Sequence, residues 1–384
     1  MSVDALLQDA ERALGAGNLE GAAELLERAA AQRPDDLSLW LRLAGIQRGM
    51  GRPRVALNSV HRALTVSPRD FSALLMRASL LDRLGDAEAP AAWGNALANK
   101  PAGDLPPQLA TVVAQGEKRH EDWLATRDAA MKARMAACED RAGPEERTRI
   151  ERFRSNVLRR TQPYHSNPTH FCYPELAERE FHPRRLFPWL AEIEAATGAI
   201  TAELQAVMEA ERAELVPYIQ YEEHLPLDQW RPLNKNPDWT AIHLWKNGER
   251  IEANARHCPQ TLALLERVPQ PQIGGAGPNA MFSLLAPNTS IPPHVGVNNA
   301  RLVCHLPLIV PEGCWFRVGA QTRYWRPGEA FVFDDTIEHE ALNPTDELRV
   351  VFIFDVWHPD LSDVERGAVK ALIEVGGATA GEGL

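Results

Sequence analysis

The sequence predicts a multidomain chain, an α-helical repeat solenoid followed by a β sandwich of the jelly-roll type with flanking helices. Three observations carry that prediction. Glycines recur at a 34-residue spacing in the N-terminal third, at Gly17, Gly51 and Gly85. Beyond Asn236 the texture changes to short β-rich runs separated by Pro, Gly and Asn. The clearest of those runs place apolar residues on both faces with a few isolated polar ones among them, which suits strands around a polar pocket.

The glycines bring a framework with them. Ala22 and Ala56 lie five residues after their glycines, Ala29 and Ala63 twelve after, and Pro34 and Pro68 seventeen after. Small residues let paired helices approach closely, glycine turns the chain between them, and proline stops the second helix. Trp40 and Leu43 fall at large-residue positions of the second repeat. This pattern resembles the tetratricopeptide repeat (TPR) family. The third repeat departs from it: Pro90 and Leu97 replace the two alanines and Pro101 arrives one residue early, as in a terminal cap. The repeats are placed at 1–104 and a helical linker at 105–160, with breaks expected at Asp104–Pro107 and Ala142–Pro144. A β domain with its own lead-in helices (FPWLAEIEAATGAI and TAELQAVMEAERAEL) is placed at 161–360, and a C-terminal helix with a Gly-rich tail at 361–384.

Composition narrows the function. A chain of 384 residues needs two or three domains, and 45% hydrophobic with 24% charged residues is the balance of a packed globular protein. The formal charge of −11 comes with no dense basic block, since Arg159–Arg160 and Arg184–Arg185 are isolated, so nucleic acid is not an expected partner. No run of about 18 apolar residues exists to span a membrane, and MSVDALLQDAERALGAG lacks the cationic and apolar regions of a signal peptide. Cys138, Cys172, Cys258, Cys304 and Cys314 are scattered without C-x-x-C spacing, which argues against disulfides or a thiolate metal site and for a cytoplasmic setting.

Strands are expected over Ala300–Ile309, Cys314–Val318, Thr322–Trp325, Ala330–Phe333 and Leu348–Val356. Alternation puts Arg301, Val303 and His305 on one face of the first and Arg349, Val351 and Ile353 on one face of the last. Of twelve histidines, two stand out by context. His294 follows Pro292–Pro293 and precedes Gly296, just before a strand. His339 ends FVFDDTIEH, and Arg349 follows ten residues later on the next strand. In jelly-roll oxygenases this order brings two imidazoles to one iron and a guanidinium to the far carboxylate of 2-oxoglutarate. Neutral imidazoles suit Fe(II), and the planar guanidinium forks onto a carboxylate as ammonium cannot. The facial triad also wants a carboxylate two residues after the first histidine, where this chain has Gly296. Glu338 is a poor substitute, because adjacent strand residues face opposite ways, and Asp334 and Asp335 read as turn-formers.

The stretches IPPHVG, ARLVCHLPLIVPEGCWFRVG, FVFDDTIEHEALN and LRVVFIFDVWHP, with FCYPEL, FPWL, WTAIHLWKNGER and CPQTLALLERVP upstream, resemble the aspartyl/asparaginyl β-hydroxylase family over about residues 165–360. That family lacks the carboxylate ligand and holds iron with two histidines. The resemblance implies a double-stranded β-helix fold, with Fe(II), 2-oxoglutarate and O2 as cofactor and cosubstrates. It makes His294 and His339 the metal ligands and places Arg349 and Ser283 on the distal carboxylate of 2-oxoglutarate. His305 would lie near the 1-carboxylate, Trp239 would wall the cosubstrate pocket, and Arg301 would face the substrate. Where family members carry a second basic residue two places beyond Arg301, this chain has Val303.

Two functional readings follow. The first is a dioxygenase that hydroxylates a carbon, the β-carbon of an Asp or Asn residue or of a related amino acid, with release of succinate and CO2. Its peptide, protein or amino-acid substrate would be recruited by the TPR groove. The second is a non-catalytic interaction module built from repeats and an inert jelly roll. Joint presence of His294, His339, Arg349 and Ser283 favours the first.

Overall fold

The 34-residue period sets the helices of the first part. The computed structural model describes residues 1–210, 216–220, 222–224, 231–232 and 234–376, and the chain divides into two units, Met1–Leu158 and Arg159–Leu384. The first unit holds the pairs α1 (Val3–Gly15) and α2 (Leu19–Gln32), α3 (Leu37–Gly49) and α4 (Pro53–Val66), and α5 (Phe71–Arg83) and α6 (Ala89–Leu97). They are followed by α7 (Pro107–Glu139) and α8 (Pro144–Val157). Gly17, Gly51 and Gly85 all sit at positive φ, +73°, +74° and +66°, a conformation that side chains resist. Each closes the preceding helix by donating to a carbonyl three residues back. The same spacing governs the helix starts: Ser2, Asp36 and Asp70 cap α1, α3 and α5, accepting from the amides of Ala5, Ser38 and Ala73. Ala22, Ala29, Ala56 and Ala63 are fully buried between helices.

The worn third repeat has a packing reason. Trp93 of α6 lies against Gly116 of α7, where an added Cβ would come within 2.3 Å of the indole. A long helix thus covers this pair. Pro90 sits in the first turn of α6, where its missing N–H costs nothing.

The second unit is an antiparallel sheet domain with helices. In chain order it comprises α9 (Leu190–Ala195), α10 (Thr197–Glu209), β1 (Val216–Pro217), β2 (Trp239–Lys246), β3 (Glu249–Arg250), α11 (Glu252–Ala255), α12 (Pro259–Leu265) and β4 (Ala280–Leu285). There follow β5 (Thr289–His294), β6 (Arg301–Ile309), β7 (Trp315–Val318), β8 (Gln321–Tyr324), β9 (Phe331–Phe333), β10 (His339–Asn343), β11 (Arg349–Trp357) and α13 (Asp363–Gly376). One sheet has the order β1-β2-β4-β11-β6-β9 with β3 on β2, and the other runs β5-β10-β7-β8. Phe282, Phe352, Phe354 and Cys304 on one face of the large sheet pack under Leu190, Ile193, Ile200, Leu204 and Leu262 of α9, α10 and α12. The opposite face, with Met281, Val303, Val351 and Ile353, meets Ile291, Phe316, Val318 and Ala341 of the small sheet. β11 is therefore buried along its whole length, which its apolar residues on both faces allow.

The expected strands correspond to β6, β7, β8, β9 and β11. The sequence reading did not mark β2, β4, β5 or β10 as individual strands. The expected helix over TAELQAVMEAERAEL ends at Glu209 in α10; its last residues, 211–215, and the Gly-rich tail at 377–384 lie outside the described residues. Among the described residues no helix is long and apolar enough to cross a membrane.

One buried carboxylate ties two of the covering helices together. Glu203 of α10 accepts from Gln260 N (2.7 Å), Thr261 N (2.9 Å) and Thr261 Oγ1 (2.6 Å), supplying the N-terminal cap that α12 does not make for itself. Glu203→Ala is expected to lower the unfolding free energy by about 1–3 kcal/mol, because one buried and one half-buried N–H group lose their acceptor. Glu203→Gln should recover part of the loss. Urea titration followed by circular dichroism measures both, and an unchanged midpoint in the alanine variant would show that the cap contributes nothing.

Candidate active site

The two sheets enclose a cavity of about 580 Å³, counting its open mouth. At one side of it β5 and β10 pair antiparallel with His294 directly opposite His339, and the two rings stand 4.0 Å apart. β5 is an edge strand, which is why Pro292 and Pro293 can sit beside the first histidine without breaking a ladder. The register of β10 shifts between His339 and Ala341, a bulge that re-aims the second. The Nδ1 atoms face the carbonyls of Pro292 (2.8 Å) and Ile337 (3.1 Å). A carbonyl only accepts, so each Nδ1 carries the proton and each Nε2 is left as the lone-pair nitrogen. Burial drives both imidazoles toward the neutral form, His339 to about 4. The lead-in segment braces both loops: Asn167 N donates to Thr336 O (2.8 Å) and Thr169 N to Gly296 O (3.0 Å).

The same cavity also has a cationic wall. Arg349, at the start of β11, is 2% exposed, and its Nε and Nη1 have no hydrogen-bond partner among the described residues. Its guanidinium lies over Trp325, 4.7 Å from the ring centre, and burial depresses its pKa to about 10. Ser283 of the neighbouring β4 also lines the cavity; it pairs with Val351, while Arg349 pairs with Leu285. The Trp239 indole N–H donates to Ser283 Oγ (3.1 Å), and Tyr218 stacks flat on Trp239 at 3.9 Å. His305 is held between Phe316 (4.9 Å) and Phe333 (4.8 Å) with Nδ1 unpartnered. Burial, then Arg349, pushes its pKa well below the usual value.

A third group corrects the sequence reading. Asp334 does shape its turn, accepting from Thr336 N (3.0 Å) and Thr336 Oγ1 (2.5 Å). Asp335 does not. Its carboxylate lines the cavity, and a Cβ on Gly296 would lie 2.2 Å from its Oδ2. The space beside the first histidine, where a facial triad would carry its acid, is thus filled by an acid from the loop before β10. Arg301 anchors that carboxylate at 3.1 Å. Arg301 does not line the main cavity; it borders a second, smaller one with Trp357, Val369 and Ile373, and Asp335 is the group that meets the main cavity in its stead. Val303 lies in the main wall beside Ile353, so that stretch is apolar.

The structure therefore brings His294, His339, Arg349, Ser283, His305 and Trp239 to one cavity and sets Arg301 behind Asp335. Sequence reasoning missed Tyr218 and Asp335. A signal for Asp335 was available, because a glycine in place of an expected side chain marks a close approach by something else. Tyr218 carried none, being brought in by the pairing of the two-residue strand β1 with β2. Among the described residues no cluster of three or more His, Cys, Asp or Glu is arranged to hold a metal ion.

Comparison with known proteins bears on this site. Residues 194–359 match the family described as aspartyl/asparaginyl beta-hydroxylase, and residues 13–58 match a tetratricopeptide repeat. The human aspartyl/asparaginyl beta-hydroxylase is 32% identical over 186 residues, which are 48% of this chain and 24% of that protein. The ornithine lipid ester-linked acyl 2-hydroxylase of Rhizobium tropici is 35% identical over 190 residues, 49% of this chain and 63% of that one. Human aspartate beta-hydroxylase domain-containing protein 2 is 35% identical over 155 residues, 39% of this chain and 42% of that one. The match thus spans from 24% to 63% of the length of these relatives. The chain thus carries a region that matches the aspartyl/asparaginyl β-hydroxylase family behind one that matches a tetratricopeptide repeat.

Proposed function

We propose that the C-terminal domain is an Fe(II)- and 2-oxoglutarate-dependent dioxygenase that hydroxylates an unactivated carbon, and that its two facing sheets form a double-stranded β-helix. The observation that carries the proposal is Arg349, a buried guanidinium with two unpartnered nitrogens, in the same cavity as two neutral imidazoles. A buried cation with no acid beside it among the described residues calls for an anionic ligand. Paired imidazoles, each with Nδ1 tied to a carbonyl, are the donor set that a divalent transition metal takes. The residues fit both groups.

In this reading His294 and His339 hold Fe(II), and Arg349 with Ser283 holds the distal carboxylate of 2-oxoglutarate. His305 lies toward the 1-carboxylate and Trp239 walls the pocket. When bound, the iron supplies the oxygen activation and C–H cleavage that no side chain can. The balance is one C–H, one O2 and one 2-oxoglutarate giving C–OH, succinate and CO2. The chain's own part is to orient the 2-oxo acid, and to keep water from the reacting carbon with the apolar wall of Ile291, Val303, Phe333 and Ile353. Asp335 contributes negative charge beside His294, fixed in place by Arg301.

The β-carbon of an Asp or Asn residue is the first candidate for hydroxylation, because the family and two of the relatives carry that name. The Rhizobium tropici relative is named for an acyl chain, so a related carbon is the alternative. The repeats would recruit the substrate, and no residue of the proposed chemistry lies within them. The cytoplasm remains the proposed setting.

His294→Ala and His339→Ala are each expected to abolish 2-oxoglutarate-dependent oxygen uptake while the circular dichroism spectrum stays unchanged. Normal turnover at saturating iron would remove the metal assignment. Arg349→Ala should weaken 2-oxoglutarate binding by about 3–5 kcal/mol, since one partner of a buried ion pair is lost, with Arg349→Lys recovering only part. Unchanged affinity on calorimetric titration would make Arg349 structural. Gly296→Ala should cost about 1–3 kcal/mol of stability through overpacking against Asp335. With Asp335→Ala also present the cost should shrink. A double-mutant cycle by urea denaturation that came out additive would mean the two groups do not compete for that space.

A further inference from the structure

The two halves of the proposed chemistry stand on different sheets. His294 ends β5 and His339 begins β10 of the small sheet, whereas Ser283 and Arg349 belong to β4 and β11 of the large one. A ligand held by both halves must reach from sheet to sheet, so its length is set by how the sheets are joined. Three connections pass between them close to Arg349: 286–288 from β4 to β5, 310–314 from β6 to β7, and 344–348 from β10 to β11.

One side chain binds all three. Asn343, the last residue of β10, is fully buried. Its NH2 group donates to the carbonyls of Glu347 (2.8 Å), Ala286 (3.0 Å) and Leu285 (3.2 Å). Its Oδ1 accepts from Thr345 Oγ1 (2.8 Å), Thr345 N (3.2 Å) and Cys314 Sγ (3.2 Å). Carbonyls only accept and a backbone amide only donates, so the Asn343 amide has a single orientation. Leu285 is the residue opposite Arg349 in the ladder, so the knot grips the rung on which the guanidinium stands. Beside it Asn288 N donates to Thr345 O (2.9 Å), riveting the first connection to the third. Asn343 pairs with Thr289 at this end of the small sheet, and at the other end of the same two strands His339 faces His294. The strand between knot and imidazoles is roughly 13 Å long, so a tilt of about 5° at the knot carries them about 1 Å.

We infer that Asn343 is a positioning residue, which fixes the angle between the two sheets and through it the distance from the imidazole pair to Arg349. The site then selects its dicarboxylate by length, although Asn343 lies outside the cavity wall. The inference rests on the proposal that 2-oxoglutarate bridges the two sheets, and concerns what sets the span. A knot that only stabilised the fold would weaken ligands of every length alike.

The test compares 2-oxoglutarate with 2-oxoadipate, which has the same two ends and one more methylene. Both are titrated calorimetrically into the full chain loaded with Mn(II), so that binding is read without turnover, and the readout is the ratio of the two dissociation constants. The parent chain should favour 2-oxoglutarate by about 10–200-fold, the range one methylene commands in a fitted pocket. Asn343→Ala, and Asn343→Asp, which keeps the acceptor and loses the donors, should each lower that ratio about tenfold, the effect of a shift near 1 Å. Mn(II) affinity in the absence of ligand, read from the electron paramagnetic resonance signal of the free ion, should stay unchanged, because both histidines ride on one sheet. Thr345→Val removes only the hydroxyl at the edge of the knot; it should lower the ratio in the same direction by less, and decides the matter if neither Asn343 variant folds. An unchanged ratio in a folded Asn343 variant, or in Thr345→Val when neither folds, overturns the inference and leaves the proposed function standing. Loss of Mn(II) affinity in step with the ratio also overturns it, since Asn343 would then be supporting the small sheet itself. No binding of 2-oxoglutarate by the parent chain overturns both.

Discussion

Arg349 is a cation sealed between two sheets with no acid to answer it among the described residues, and much of the second unit can be understood as what makes that tolerable. Moving such a charge out of water costs several kcal/mol even after relaxation. The offset comes from the Trp325 face beneath the guanidinium and from the rigidity of β11, clamped along its length between β4 and β6. A freer arginine would turn to solvent or find a carboxylate. Here the strand fixes its root and the Trp325 ring lies against its plane, so the guanidinium is kept in the wall of the cavity.

Arg301 makes the contrast clear. It lies on the same sheet, on the cavity-facing side of β6, and is just as buried, yet it has Asp335 within hydrogen-bond reach and Asp355 as a further negative neighbour. Two arginines on one sheet face thus have opposite electrostatic fates. One is neutralised locally and serves to hold a carboxylate beside His294; the other is left open. Burial raises the Asp335 pKa even against the pull of Arg301, so that pair balances desolvation against attraction.

Most of the fold was legible because its periods are strong. The 34-residue glycine spacing named the helical repeats, and alternation named β6 and β11 along with the face that Arg301, Val303 and His305 share. What escaped was local irregularity. β5 carries Pro292 and Pro293, which demote a run to non-strand unless it is known to lie at an edge. β10 is short and bulged at His339, so alternation fails where the chemistry sits. The two histidines were found from their surroundings and from the order of residues. Arg301 was assigned toward the substrate because alternation gives its face, but alternation is blind to Asp335, which arrives from a loop 34 residues later. Tyr218 was out of reach for the same reason, since its stack on Trp239 depends on a strand of two residues.

The edge position of β5 has a further consequence. Pro292 and Pro293 have no N–H to offer, so the end of that strand nearest His294 is attached to β10 by fewer backbone hydrogen bonds than an ordinary edge would make. Any species held jointly by His294 and His339 would act as a clasp across that weak seam, linking residues 45 apart in sequence. Sheet closure and site occupancy are then one equilibrium seen from two sides. A ligand that favours the closed seam stabilises the small sheet in proportion to its own affinity, and whatever loosens the outer strand loosens the site with it.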